Sequence, residues 1–219
     1  MLSSQGFDLW ADGYDKSVGL SDEEGSYPFA GYKDILNEIY NRVLCRSGRD
    51  VLDIGFGTGT LTCKLYARGC HICGQDFSRR MVELAQEKMP DAELYQGDFS
   101  LGLAADLKKR TYDAIIATYS LHHLSDAQKI AFIRELLPLL NEDGCIYIGD
   151  VAFATRDALE ACMVMAGDAW DDEEIYFVYD ELKPYFPNMT FTGFSDCAGL
   201  LVIDRNGCET EALQHCGGR

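Results

Sequence analysis

Val51-Leu52-Asp53-Ile54-Gly55-Phe56-Gly57-Thr58-Gly59 is the stretch that decides the fold. An apolar run with one internal acid stops at three alternating glycines. Leu61, Leu65 and Tyr66 then recur at helical spacing. The order is strand, tight turn, helix. Glycine serves where backbone must take a positive φ or lie against a ligand without a Cβ in the way. A βα turn without a ligand could use the same glycines. Acids placed downstream separate the two readings.

Strand and helix keep alternating after this turn. Residues 71–74 form a second strand, closed by Gln75-Asp76-Phe77-Ser78. Asp76 or Ser78 can cap the next helix, whose inner face carries Met81, Leu84, Ala85 and Met89. Residues 92–95 are a short third strand, followed by Gly97-Asp98-Phe99. Residues 112–118 are a fourth, whose Ile115-Ile116-Ala117 run suggests burial on both faces. Ser125-x-x-Gln128 is a capping box. It opens a helix with an expected stripe of Ile130, Ile133, Leu137 and Leu140, loosened at its end by Pro138. Residues 141–144 read as a turn and 145–148 as a fifth strand. This βαβα order predicts a parallel, doubly wound α/β sheet with right-handed crossovers.

The flanks differ. Phe7, Trp10 and Tyr14 fit a short amphipathic helix, and residues 25–32 an aromatic-rich loop. Ile35, Leu36, Ile39, Tyr40, Val43 and Leu44 mark a longer helix ending at Ser47-Gly48. Beyond residue 150, helices are expected over 155–169 and 179–186, with Asp171-Asp172-Glu173-Glu174 as a solvated acidic loop. Strand-like runs at 189–194 and 200–204 are too close for a crossover helix, so they pair antiparallel. A polar tail follows from Asn206. The whole chain, 1–219, reads as a single domain: a helical cover (1–48), a core (49–150), and substrate-side helices with a terminal hairpin (151–219).

Composition narrows the function. The chain has 219 residues, 47% hydrophobic and 25% charged, as in ordinary globular domains. Its net charge of −17 repels phosphate backbones and anionic membranes, which leaves a small molecule as the expected partner. The start lacks the basic and apolar regions of a signal peptide, and no run is long enough to span a bilayer. A cytoplasmic location is expected, as monomer or homodimer. Nine scattered cysteines read as reduced, mostly buried thiols. Cys70 and Cys73 sit in a strand where alternating side chains diverge, and no second CxxC completes a zinc site. No metal is expected.

In open α/β sheets ligands bind outside the carboxyl ends of the strands. Gly55, Gly57 and Gly59 follow the first strand. Asp76 ends the second, where a carboxylate can accept both hydroxyls of a ribose. Asp98 follows the third and could take a hydrogen bond from an adenine amino group. Phe77, Met81 and Phe99 offer apolar faces to a purine. Two details turn the reading from NAD towards another adenosine cofactor. Thr60 stands where GxGxxG needs its last glycine, and Asp53 suits a cationic amino group but would repel a diphosphate.

On these motifs the chain resembles the class I S-adenosylmethionine-dependent methyltransferases. The matching stretches are VLDIGFGTGTL, GQDFS, QGDFS, YDAIIATYSLHHLSD and NEDGCIYIGD, the last with EDG in place of the common PGG. FDLWADGYDKSV and YPFAGY look more specifically like the small bacterial YrrT-like methyltransferases. The resemblance implies a Rossmann-like seven-stranded sheet, mostly parallel with a C-terminal antiparallel hairpin. It implies S-adenosylmethionine as cofactor, S-adenosylhomocysteine as product, and a small-molecule methyl acceptor. Asp53 with the Gly55–Gly57 backbone would hold the methionine moiety, Asp76 the ribose, and Asp98 with Phe99 the adenine. Ala117 would meet the cofactor's amino group through its backbone, and Tyr14 and Tyr32 would close over it. His123 matches the position of a functional histidine in some small-molecule methyltransferases and is the candidate general base, with His122 beside it. Tyr119 and the segment from Met163 to Tyr179 are expected to line the acceptor pocket. The motifs equally suit a cofactor-binding regulatory or scaffold protein without turnover. An NAD-dependent oxidoreductase is disfavoured by Thr60, Asp53 and the hairpin.

Overall fold

The structure, a computed structural model, describes residues 27–205. The expected helix carrying Phe7, Trp10 and Tyr14, and the tail from Asn206, lie outside the described residues. Helix α1 (Tyr32–Cys45) enters from Gly31, whose φ of 81° turns the chain into the helix. Its Ile35, Leu36, Ile39 and Val43 are buried. Each contributes on the order of 1.5–3 kcal/mol by leaving water. The alternating core then runs β1 (Asp50–Ile54), α2 (Thr62–Tyr66), β2 (His71–Asp76), α3 (Arg79–Lys88), β3 (Glu93–Gln96), β4 (Tyr112–Thr118), α4 (Asp126–Leu136) and β5 (Leu140–Phe153). After it come α5 (Arg156–Ala166), β6 (Phe177–Val178), α6 (Tyr179–Leu182), β7 (Met189–Gly193) and β8 (Ala198–Asp204).

One sheet carries all of these strands, in the order β3-β2-β1-β4-β5-β8-β7, with β6 paired to the end of β5. β1 to β5 are parallel, and β8 runs antiparallel to both β5 and β7. The terminal hairpin is therefore present, and the two-residue β6 adds an eighth strand to the expected seven. Helices cover both faces. α1, α2, α3 and α5 pack on one side with Val51, Ile72, Ala114, Ile116 and Tyr147. α4 and α6 pack on the other with Leu52, Ile54, Ile115, Ile146 and Ile148. Neighbouring strand residues alternate between the two cores, as the pleat requires. Cys70 and Cys73 fall one to each core, as expected.

Three local expectations are corrected. Residues 141–144 do not end a strand: β5 starts at Leu140, and its register with β4 shifts between Tyr112↔Leu140 and Ala114↔Cys145. The turn residues are a bulge inside one long strand, tied down by Asn141 Nδ2 donating to Asp113 Oδ1 at 2.7 Å. On α4 the inner face is Lys129, Phe132, Ile133 and Leu136, whereas Ile130 and Leu137 pack only partly. The helix stops at Leu136 and Pro138 sits in the following 3₁₀ turn. The helix expected over 155–169 ends at Ala166, and the one expected over 179–186 keeps its α form only to Leu182. The capping box of Ser125 and Gln128 is formed in full.

Candidate active site

The turn after β1 opens on a cavity of about 360 Å³, its open mouth included. Tyr32, Asp53, Gly55, Gly57, Thr60 and Tyr119 are among its walls. Gly55, Gly57 and Gly59 all have positive φ (70°, 55° and 77°). At Gly55 a Cβ would lie 2.4 Å from Ser120 Cβ, so no side chain fits there. At Gly57 nothing among the described residues stands within 4 Å of where a Cβ would be, which leaves room for a ligand against this face of the turn. The Gly55 N–H donates to Gln75 O at 2.8 Å, which fixes the turn beside β2.

Asp53 is buried at the floor. Thr62 Oγ1 donates to its Oδ2, and its Oδ1 has no hydrogen-bond partner among the described residues. Burial, with Asp76 adding to it, pushes its carboxyl up to about 7. Asp76, also buried, accepts the Gly57 N–H on Oδ2 and the Ser78 N–H on Oδ1, both at 2.8 Å. Ser78 rather than Asp76 caps α3, accepting from Met81 N at 3.2 Å.

The other expected cofactor residues stand further out. Phe77 and Asp98 are half-buried, and Asp98 Oδ1 accepts the Ser100 N–H at 2.8 Å. Met81 is buried in α3. Phe99 sits beside Gly55, but only 8% of it is exposed and its ring packs on Phe132, so it is mostly core. Ala117, near the end of β4, lies between Ile54 and Ile148. None of these lines the cavity itself. Tyr14 lies outside the described residues. Tyr32 does form a wall, with Tyr119 at 5.1 Å between ring centroids and Phe29 next to both. Tyr119 turns the chain off β4 with a φ of 50°, a left-handed backbone rare for a side chain of this size.

Beyond Tyr119 a short 3₁₀ turn carries His122 and His123, with their rings 4.2 Å apart. His122 Nδ1 meets Asp150 Oδ1 at 2.6 Å, and its Nε2 faces Glu174 Oε1 at 3.4 Å. Burial opposes a charge on this imidazole. Asp150 and Glu174 outweigh that and hold its pKa above the ordinary value. Burial and the neighbouring His122 push His123 the other way, down to about 4. Glu174 is held from behind by Tyr176, whose OH donates to Oε2 at 2.9 Å. The loop is fixed in turn. Ile175 N–H donates to His122 O at 2.9 Å, and the fully buried Lys129 donates from Nζ to Ile175 O. Trp170 stacks on Tyr27, with centroids 5.1 Å apart, which ties this loop to the cover segment.

The structure thus brings together residues that sequence reasoning passed over. Asp150, Lys129 and Thr62 had no assigned role, and Glu174 was covered only by the long segment expected to line the acceptor pocket, within an acidic run expected to be a solvated loop or helix start. A signal existed for Asp150: like Asp53, it is an acid late in an otherwise apolar strand. Nothing local marks Glu174, because its partners lie elsewhere in the chain.

A methyltransferase-domain family profile matches residues 51–144, the span from β1 to the start of β5. An uncharacterized methyltransferase of Geobacillus sp. (strain WCH70) is 37% identical over 194 residues, which is 85% of this chain and 88% of the relative. The chain belongs to the methyltransferase-domain family. A second relative of this methyltransferase, from Anoxybacillus flavithermus, is 39% identical over 160 residues, 73% of this chain and 72% of its own. Among solved structures, magnesium protoporphyrin IX methyltransferase from Synechocystis with bound SAH superposes with a TM-score of 0.62 at 19% identity, covering 81% of this chain and 84% of that one. SAM-bound CalS10, an amino pentose methyltransferase from Micromonospora echinaspora, superposes with a TM-score of 0.60 at 16% identity, covering 78% and 90%. Such identities speak for the fold alone. The methyltransferase's sheet order and terminal hairpin are those of this fold. Among its described residues no helix is long and apolar enough to cross a membrane.

Proposed function

We propose that this methyltransferase takes its methyl group from S-adenosylmethionine, releases S-adenosylhomocysteine, and methylates a small-molecule acceptor. The observation that carries the reading is the buried Asp53 Oδ1 without a partner. A buried acceptor left unpaired costs on the order of 1–3 kcal/mol, and a ligand ammonium placed there offsets that cost. The residues fit such a cofactor. Asp53 suits its amino group, the open face of Gly57 admits its chain, and Asp76 suits ribose hydroxyls. A diphosphate would meet two buried carboxylates instead. Structural relatives crystallised with SAM or SAH support the same reading.

S-adenosylmethionine, when bound, supplies a methyl group on a sulfonium that a nucleophile can displace in line. This chain's part is then to hold, orient and keep water out. Tyr32, Phe29 and Tyr119 form an aromatic wall over the turn. His123 offers a neutral ring to the acceptor side, and it remains our candidate for contact with the acceptor. The YPFAGY motif supports a place near the YrrT-like group, and its Tyr27 packs on Trp170 and Tyr176.

Calorimetry tests the cofactor: SAH should bind, and NAD should not. Binding of NAD with none of SAH overturns the reading. Labelled S-adenosylmethionine with a metabolite extract then separates an enzyme from a binding protein on the same fold, because only the former transfers label.

A further inference from the structure

We propose that His122, His123 and Glu174 form a binding site for a divalent transition-metal ion. One ligand atom from each residue lies within 4.8 Å of the other two. Ligands at about 2.1 Å from one ion stand roughly 3–4 Å apart, so the widest pair needs to close by at most roughly 1–2 Å. The pair His122 Nε2 and Glu174 Oε1, at 3.4 Å, already has that spacing.

The surroundings are those of a prepared site. Histidine ligands usually donate their second nitrogen to a carboxylate, which sets the tautomer and the ring plane. Asp150 does this for His122, at 2.6 Å on Nδ1, and leaves Nε2 facing Glu174. Asp150 is fully buried, and its Oδ2 has no partner among the described residues. Tyr176 holds Glu174 by Oε2 and leaves Oε1 facing the histidine. The two ligand-bearing segments are bonded to each other through Ile175 N–H and His122 O, and Lys129 pins the second from below. Lys129, a cation close enough to act on His122, spends its charge on Asp126 and the Ile175 and Tyr176 carbonyls.

Two imidazoles and one carboxylate favour zinc, iron, cobalt, nickel or manganese over calcium and magnesium. Three protein ligands also leave coordination positions open. The turn carrying both histidines follows Tyr119, a wall of the cofactor cavity, so an ion here stands on the acceptor side. The site does not depend on the cofactor reading.

The test is titration of chelator-stripped protein with Co²⁺, followed by calorimetry and visible absorption. One equivalent should bind, with a spectrum lacking thiolate charge transfer. His123→Ala and Glu174→Gln should each weaken binding at least tenfold, and Asp150→Asn by about 10–100-fold. Either ligand variant that keeps a cooperative thermal melt suffices for the test. No Co²⁺ binding to wild type overturns the site. So does binding unchanged in a folded ligand variant, which would assign the ion to surface carboxylates or cysteines.

Discussion

The Gly57 N–H donates to Oδ2 of Asp76 at 2.8 Å, so the turn after β1 and the acid that ends β2 are one unit. With Ser78 N–H on its other oxygen, this carboxylate ties the glycine turn to the turn that enters α3. A carboxylate oxygen has two acceptor sites, so one that takes a backbone N–H can take a ligand hydroxyl as well.

Asp76→Ala should therefore act twice. Hydrogen bonds to a charged group are worth about 1.5–3 kcal/mol each. Losing those to a ribose should weaken SAH binding by roughly 100-fold, and losing the two backbone donors should lower the melting temperature as well. Asp76→Asn keeps the shape and should fall between. SAH affinity unchanged in the alanine variant, read by calorimetry, would remove Asp76 from the cofactor site.

Asp53 gives a pH signature. Its carboxyl is raised in the fold to about 7 from an ordinary value of 3.8. The folded state then holds the proton more tightly than the unfolded chain. The stability this brings is complete below about pH 4 and is lost as pH rises through about 7. Asp53→Asn lacks that loss and should be the more stable protein at pH 8, by on the order of 1–3 kcal/mol, with little difference at pH 4. Urea melts at both pH values check this. A ligand ammonium prefers the ionised carboxylate, so wild type should bind SAH more tightly at pH 8 than at pH 6. The asparagine variant should show a flatter profile. Parallel profiles would place the amino group elsewhere.

Gly55 and Ser120 interlock. A Cβ at Gly55 would lie 2.4 Å from Ser120 Cβ, on a backbone with φ of 70°. Gly55→Ala should destabilise by about 2 kcal/mol or more, through overpacking and strain together. Adding Ser120→Gly removes the clash but not the strain, so the double variant should recover part of the loss. No recovery in chemical denaturation would mean that the clash is not the cause.

Lys129→Met keeps the bulk of the buried stem and removes the donor to the Ile175 and Tyr176 carbonyls. The loop over 171–176 should loosen. Its report is faster amide exchange at Ile175, whose N–H is bonded to His122 O. Exchange as slow as in wild type would show that the aromatic contacts of Trp170 hold the loop by themselves.

Much of this was legible before any coordinates. Glycine, apolar runs and carboxylates at strand ends are local signals, so the strand–turn–helix at 51–59, the acid at 76 and the capping box at Ser125 could be read directly. The inner face of α4 could not. Periodicity favoured Ile130 over Lys129, because burying a lysine makes sense only once two carbonyls from residues 175 and 176 are known to lie beneath it. Nor could the packing of Phe99 on Phe132 be read locally, because the two lie 33 residues apart.

The amino-acid sequence by itself determined the doubly wound sheet, its terminal hairpin and the family, because those rest on periodicity and on turns a few residues long. Only the tertiary structure decided what the two adjacent histidines face. His122 turns to Asp150 and Glu174, 28 and 52 residues further on, and His123 is left neutral beside it. Neighbouring residues in a tight turn point in different directions, and what a side chain meets there is set by whichever distant segments pack against the turn.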